Sequence, residues 1–370
     1  MVNSINKVQS FRQSIWYDNI RRAMLTSGEL QHLVENGIMG VTSNPTIFEK
    51  AIAGSQDYDD ALLALADQAL SSDEIFEILA IEDIQEAADI LRPVYERTDG
   101  RDGYVSLEVR PTLAHDIQGT ISEALKLSAA LNRPNVMIKV PATHEGIHAI
   151  EALIARGVNV NVTLIFSVPQ YAAVAEAYLT GLEKRASDGQ PIDTIASVAS
   201  FFISRIDAAI DPQLDAAGNQ TLLGKIAIAN AKVAYARFCE MFSGERWRRL
   251  AELGARVQRP LWASTGTKNP AYPDTLYVEA LIGADTVNTV PPATLQAFLD
   301  HGGIASTLES GLYIATEQLQ ELKSIGIDLD LVAQRLLDDG VAAFLNSYLS
   351  LVKSIVNKLA DLKQDQVVIP

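Results

Sequence analysis

Lys139 places an ammonium group inside the apolar run Val136-Met137-Ile138-Lys139-Val140-Pro141, whose β-branched character is that of a buried strand. A charge there is costly unless it is paired or its pKa falls, and a neutral amine can attack a carbonyl carbon. The alternative for such a lysine standing alone is a head group near the strand end that reaches back to water. It does not stand alone. Seven other short apolar runs carry a polar or charged group near the carboxyl end. They are 14–18 with Asp18, 40–44 with Asn44, 104–109 with Glu108, 158–166 with Asn161 and Thr163, 195–201 with Ser200, 261–265 with Ser264, and 286–290 with Asn288. A carboxylate such as Glu108 on an apolar strand needs a partner or a chemical task.

Segments of helical period separate these eight runs. After Lys139, Thr143 is a candidate N-cap, Ile147, Ile150, Leu153 and Ile154 form one apolar stripe, and Gly157 ends the helix. Eight strands alternating with helices imply parallel pairing through right-handed crossovers. The expected fold is α/β, a (β/α)8 TIM barrel, whose active site gathers at the carboxyl ends of the strands. Polar groups scattered over the chain then converge on one mouth.

At 370 residues the chain exceeds the roughly 250 of a plain barrel, so it must carry insertions. Helical patterns place them near 53–103 and 206–258, with a helical extension from about 291. No linker-like or low-complexity tract divides the sequence, so one decorated domain over 1–370 is expected. The net charge of −16 argues against nucleic acid as a partner, because phosphates need a basic face. A single cysteine, Cys239, rules out an internal disulfide framework and suits a reducing compartment. The first seven residues contain no apolar leader, and no run approaches the length of a membrane span. A cytoplasmic location follows as an expectation. The sequence leaves self-association into a homo-oligomer open.

His144-Glu145-Gly146-Ile147-His148 matches the H-E-x-x-H pattern of zinc proteases. On a helical wheel, however, both histidines point roughly 100° or more away from the apolar stripe. No downstream acidic residue has a claim to be the third ligand that catalytic zinc normally requires. The expectation is no metal, with Glu145 serving as first-turn charge against the helix dipole.

Three segments together, Gly40-Val41-Thr42-Ser43-Asn44-Pro45-Thr46-Ile47-Phe48, Met137-Ile138-Lys139-Val140-Pro141-Ala142-Thr143 and Asn159-Val160-Asn161-Val162-Thr163-Leu164-Ile165-Phe166, resemble the transaldolase family, most of all its longer bacterial form. The likeness runs from Trp16-Tyr17-Asp18 to Leu261-Trp262-Ala263-Ser264-Thr265-Gly266-Thr267-Lys268-Asn269-Pro270. It implies transfer of a dihydroxyacetone unit between sugar phosphates without a cofactor. Lys139 then matches the Schiff-base lysine, Asp18 the carboxylate that takes the C4 hydroxyl proton, and Glu108 an acid/base acting through a water held with Thr163. Asp18 could instead cap a helix starting at Asn19. Asn44 and Asn161 match amides that hold substrate hydroxyls, although Asn44-Pro45 also reads as a turn signal. Ser200 and Ser264 match further substrate contacts, Ser200 being equally suited to a bond with backbone.

Arg205 matches a phosphate ligand. The second arginine of shorter members has no counterpart after Ser264, where Lys268 is the nearest cation. The resemblance also offers a rival, a fructose 6-phosphate aldolase that releases free dihydroxyacetone. Members with that activity tend to carry Gln where this chain has Glu108 and Tyr where it has Phe202. A zinc hydrolase and a catalytically silent barrel that binds sugar phosphates are the remaining rivals.

Overall fold

The computed structural model describes residues 4–368; residues 1–3, part of the segment read as lacking a leader, and 369–370 lie outside the described residues. Eight parallel strands close on themselves in sequence order: β1 (Gln13–Tyr17), β2 (Gly40–Val41), β3 (Tyr104–Glu108), β4 (Val136–Pro141), β5 (Val160–Ile165), β6 (Ser197–Phe202), β7 (Arg259–Ala263) and β8 (Thr286–Val290). The barrel is therefore the expected one, and β4 has the boundaries read for it. Strand β2 is shorter than its run because Thr42 and Ser43 already belong to the turn leading into helix Pro45–Ala53.

Register sets the site. Glu108 on β3 pairs with Lys139 on β4, and Lys139 pairs with Asn161 on β5. Three chemically distinct side chains thus share one level across three neighbouring strands. Thr163 lies two residues further along β5, opposite Pro141, and so on the same face one step nearer the mouth. Below this level lie buried polar side chains, among them Ser14, Asp102 and Arg259. Arg259 pairs with Asp102 at 2.8 Å and also donates to Ser14, which closes the amino-terminal end.

Helices occupy the stretches between and after the strands. Asp59–Leu65 and Ser72–Arg97 follow β2, while Ser204–Ala216, Ile226–Met241 and Glu245–Glu252 lie between β6 and β7. Thr143 caps helix His144–Ala155 by accepting from the Gly146 amide at 2.9 Å. The buried stripe of that helix runs through Ala149, Ile150, Leu153 and Ile154, leaving Ile147 half-buried on its flank. Gly157, at φ +87°, turns the chain away.

The last helix, Leu329–Val368, runs back across the barrel mouth. It packs on helix Pro45–Ala53, where Thr46 and Ser347 share a hydrogen bond of 2.8 Å. The pairing of β5 with β6 shifts between Val162 and Ile165, where Leu164 takes φ +59°. That kink sets Leu164 against Gly340 of the last helix, where a Cβ would come within 2.8 Å of the Leu164 methyl carbon. Glycine at this position permits the close approach.

Candidate active site

Lys139 is 4% exposed, with its Nζ donating to the Ser43 carbonyl at 3.0 Å and lying 3.4 Å from Glu108 Oε2. The Ser43 carbonyl is free to accept because the chain has left β2 there. The Phe344 ring, from the last helix, stands 5.7 Å from Nζ. Burial pushes the Glu108 carboxyl above the usual carboxylate range, against the pull of Lys139, and the nearby Asp18 pushes the same way as burial. Asp18 is raised for the same first reason, opposed by Lys139, by a 2.7 Å hydrogen bond from Thr42, and by Lys268.

No helix begins at Asn19. The next helix is Arg22–Thr26, preceded by Arg21 with no side-chain cap. Asp18 is therefore not a helix cap. Asn44 does cap helix Pro45–Ala53, its Oδ1 accepting from the Ile47 amide at 3.0 Å, which leaves the Nδ2 hydrogens for another acceptor. Ser200 donates to Asn161 Oδ1 at 2.7 Å rather than to backbone, and Asn161 Nδ2 donates to Ser106 at 2.9 Å. Thr163 Oγ1 and Glu108 Oε2 are buried without a hydrogen-bond partner.

These residues surround a mouth cavity of about 500 Å³ lined by Asp18, Asn44, Lys139, Thr163, Ser200 and Phe202, with Arg205, Ser264 and Lys268 at its wall. Asn161 and Glu108 stand behind that lining, in reach only through their neighbours. Ser264, at φ +55°, bonds Ser204 through its carbonyl and hydroxyl. Phe202 carries no hydroxyl; its ring lies 5.3 Å from Phe166 and 5.2 Å from the Arg205 guanidinium.

Sequence reasoning missed Lys50, on helix Pro45–Ala53, which also lines the cavity. Burial lowers the Lys268 pKa, and Arg205 and then Lys50 press it in the same direction. Burial alone lowers that of Arg205. None of the three cations is in an ion pair among the described residues. Three cations that line one cavity with no carboxylate paired to them form a candidate anion site. A lysine six residues beyond Asn44 on an amphipathic helix gave no distinguishing signal. Phe344 was likewise hidden, because its approach to Lys139 depends on the return of a distant helix.

His144 and His148 are exposed, their rings 5.0 Å apart on the solvent side of their helix. Glu145 accepts from His115 at 3.2 Å when that ring donates. No group of three metal-ligating side chains is gathered among the described residues.

A lysine at this level of an eight-stranded parallel barrel, beside the buried Glu108 carboxyl and the half-buried Asp18 and below three converging cations, defines a class of enzyme that works on anionic carbonyl compounds. Residues 15–355 match the family model described as Transaldolase/Fructose-6-phosphate aldolase, and the chain belongs to this family. It is 48% identical to Transaldolase 2 of Nostoc sp., an alignment covering 97% of this chain and 98% of that one. Identity to the transaldolase of Trichodesmium erythraeum is 46%, covering 98% and 99%. With the transaldolase of Thermobifida fusca it is 48%, covering 94% and 96%. None of the described helices is long and apolar enough to cross a membrane.

Proposed function

We propose that the protein is a transferase that moves a dihydroxyacetone unit from sedoheptulose 7-phosphate to glyceraldehyde 3-phosphate, giving erythrose 4-phosphate and fructose 6-phosphate. The observation that carries this reading is the Lys139 amine held between Ser43 and Glu108 at the base of a cavity walled by unpaired cations. Lys139 attacks the C2 ketone, and the protonated imine then accepts the electron pair of the breaking C3–C4 bond. Asp18 takes the C4 hydroxyl proton as that bond breaks. Glu108, whose pKa burial raises, passes a proton through a water held with Thr163 to the departing carbinolamine oxygen, and takes one back by the same route when the imine is hydrolysed. Asn44 holds hydroxyls of the bound three-carbon unit. Asn161, tied to Ser106 and Ser200, supports it from below. Arg205, Lys268 and Lys50 take the phosphate, with Ser264 beside them. Binding energy gathered there positions the ketone against Lys139.

The rival aldolase activity needs water to hydrolyse the imine before an acceptor arrives. A phenyl ring at Phe202, packed between Phe166 and Arg205, supplies no hydroxyl to assist that water, which favours transfer. Buried Lys139 and Glu108 beside the half-buried Asp18 favour a working site over a silent barrel. The lone, unbridged Cys239 accords with a reducing, cytoplasmic setting.

Borohydride with fructose 6-phosphate is expected to inactivate the protein and leave a three-carbon adduct on Lys139, located by peptide mass mapping. Lys139→Ala should fold and show no turnover. An adduct on a different lysine, or none, refutes the assignment.

A further inference from the structure

Glu108 is absent from the lining of the mouth cavity and lines two smaller ones instead. The inner, of about 20 Å³, is bounded by Ser43, Phe48, Phe76, Glu108, Arg110 and Tyr348 among others. Its wall therefore contains both residues that give Lys139 Nζ a polar contact, Ser43 and Glu108. A water needs about 10–15 Å³ of such space and two to four polar partners, so the inner cavity has room for about one. The outer, of about 260 Å³, shares Phe76, Glu108, Arg110 and Tyr348 with the inner and is rimmed by Glu77 and Lys126. The rings of Phe48, Phe76 and Tyr348 stand edge to face in a row, with centroids 5.5 and 5.9 Å apart. Tyr348 is held by a hydrogen bond to Asp73, and Arg110 by its pair with Glu123 at 2.5 Å.

The chemistry needs such a route. Imine formation breaks the C2–O bond of the carbinolamine and expels one water, the proton coming from Glu108. Release of the ketose adds one water back to C2, and Glu108 takes its proton. At both moments a sugar phosphate lies between Lys139 and the cationic wall, across the path from the mouth. We infer that Glu108 exchanges water and protons with solvent through this side passage, with Phe76 and Tyr348 as its gate. The inference rests on the Schiff-base reading of Lys139.

The test follows wash-in of heavy oxygen from labelled water into the C2 carbonyl of fructose 6-phosphate, with the uncatalysed exchange subtracted. Glu77→Trp, which fills the outer cavity from its rim, should slow enzyme-catalysed wash-in several-fold while leaving KM for fructose 6-phosphate unchanged. Tyr348→Phe keeps the ring but frees it from Asp73, and should speed wash-in and raise release of free dihydroxyacetone when no acceptor is present. If Glu77→Trp fails to fold, Lys126→Trp, at the residue that pairs with Glu77 over the same cavity, fills it instead and decides the matter. Parental wash-in from a folded, filled variant overturns the passage while the Schiff base stands. If the parent forms no borohydride-trapped adduct on Lys139, both readings fall.

Discussion

Asp18 and Glu108 act on the same lysine electrostatically but stand in different surroundings, which supports the different protons proposed for them. Asp18 lines the mouth cavity beside Thr42, where a substrate hydroxyl can reach it. Glu108 stands behind Lys139, where only the amine and a water can. Glu108→Gln should therefore slow formation of the trapped adduct, since carbinolamine dehydration needs an acid. Asp18→Asn should form the imine and cleave it slowly, so that rapid quench shows a six-carbon adduct accumulating on Lys139. An Asp18 variant that forms no adduct at all would mean that the two acids have been given each other's tasks. Burial also links Asp18 to stability. Its pKa is raised in the folded protein, so the folded state holds a proton that the unfolded chain releases at about pH 3.9. The contribution of Asp18 to stability is greatest below that pH and falls as pH rises through the raised value. Asp18→Asn should accordingly melt higher than the parent at pH 7, with the gap closing as pH falls toward 4. A gap that widens in acid would reverse this reading.

At the scale of elements, three separate pieces of chain build the proposed anion site: helix Pro45–Ala53 brings Lys50, the first turn of helix Ser204–Ala216 brings Arg205, and the segment after β7 brings Lys268. A charge-assisted contact to an oxyanion is worth about 1.5–3 kcal/mol, roughly tenfold or more in affinity. Arg205→Ala should weaken fructose 6-phosphate by at least that factor, since its planar fork can bind two oxygens. Lys268→Ala and Lys50→Met should act in the same direction but less. Inorganic phosphate should lose inhibitory strength in parallel, and unchanged KM in all three variants would place the phosphate elsewhere. These elements also show what a sequence can disclose. Strands that carry Lys139, Glu108 and Asn161 announce themselves, because a polar group in an apolar run conflicts with burial. Arg205 and Lys268 were legible only through family resemblance. Lys50 and Phe344 were not legible, because a lysine or phenylalanine on a helix conflicts with nothing local.

Across the whole molecule the unreadable feature was the return of the last helix over the mouth, a matter of contacts between chain segments some three hundred residues apart. Thr46 and Ser347, 301 residues apart, are joined by hydroxyl oxygens at 2.8 Å, a contact that makes them a candidate cysteine pair, the disulfide's own limits being set by the Cα and Cβ separations. The pair Thr46→Cys and Ser347→Cys, made with Cys239→Ser to prevent exchange, should oxidise without forcing the backbone. Closing so long a loop restricts the unfolded chain and is expected to add about 2–4 kcal/mol, seen as a melting temperature that falls back when reductant is added. The effect on turnover tells how substrate enters. With the helix in place the mouth cavity already offers about 500 Å³, ample for a seven-carbon sugar phosphate. The oxidised variant should thus keep turnover within a few-fold of its reduced form. A large loss restored by reductant would show instead that the helix must lift from Lys139 in every cycle, and that the cavity seen here is a closed state.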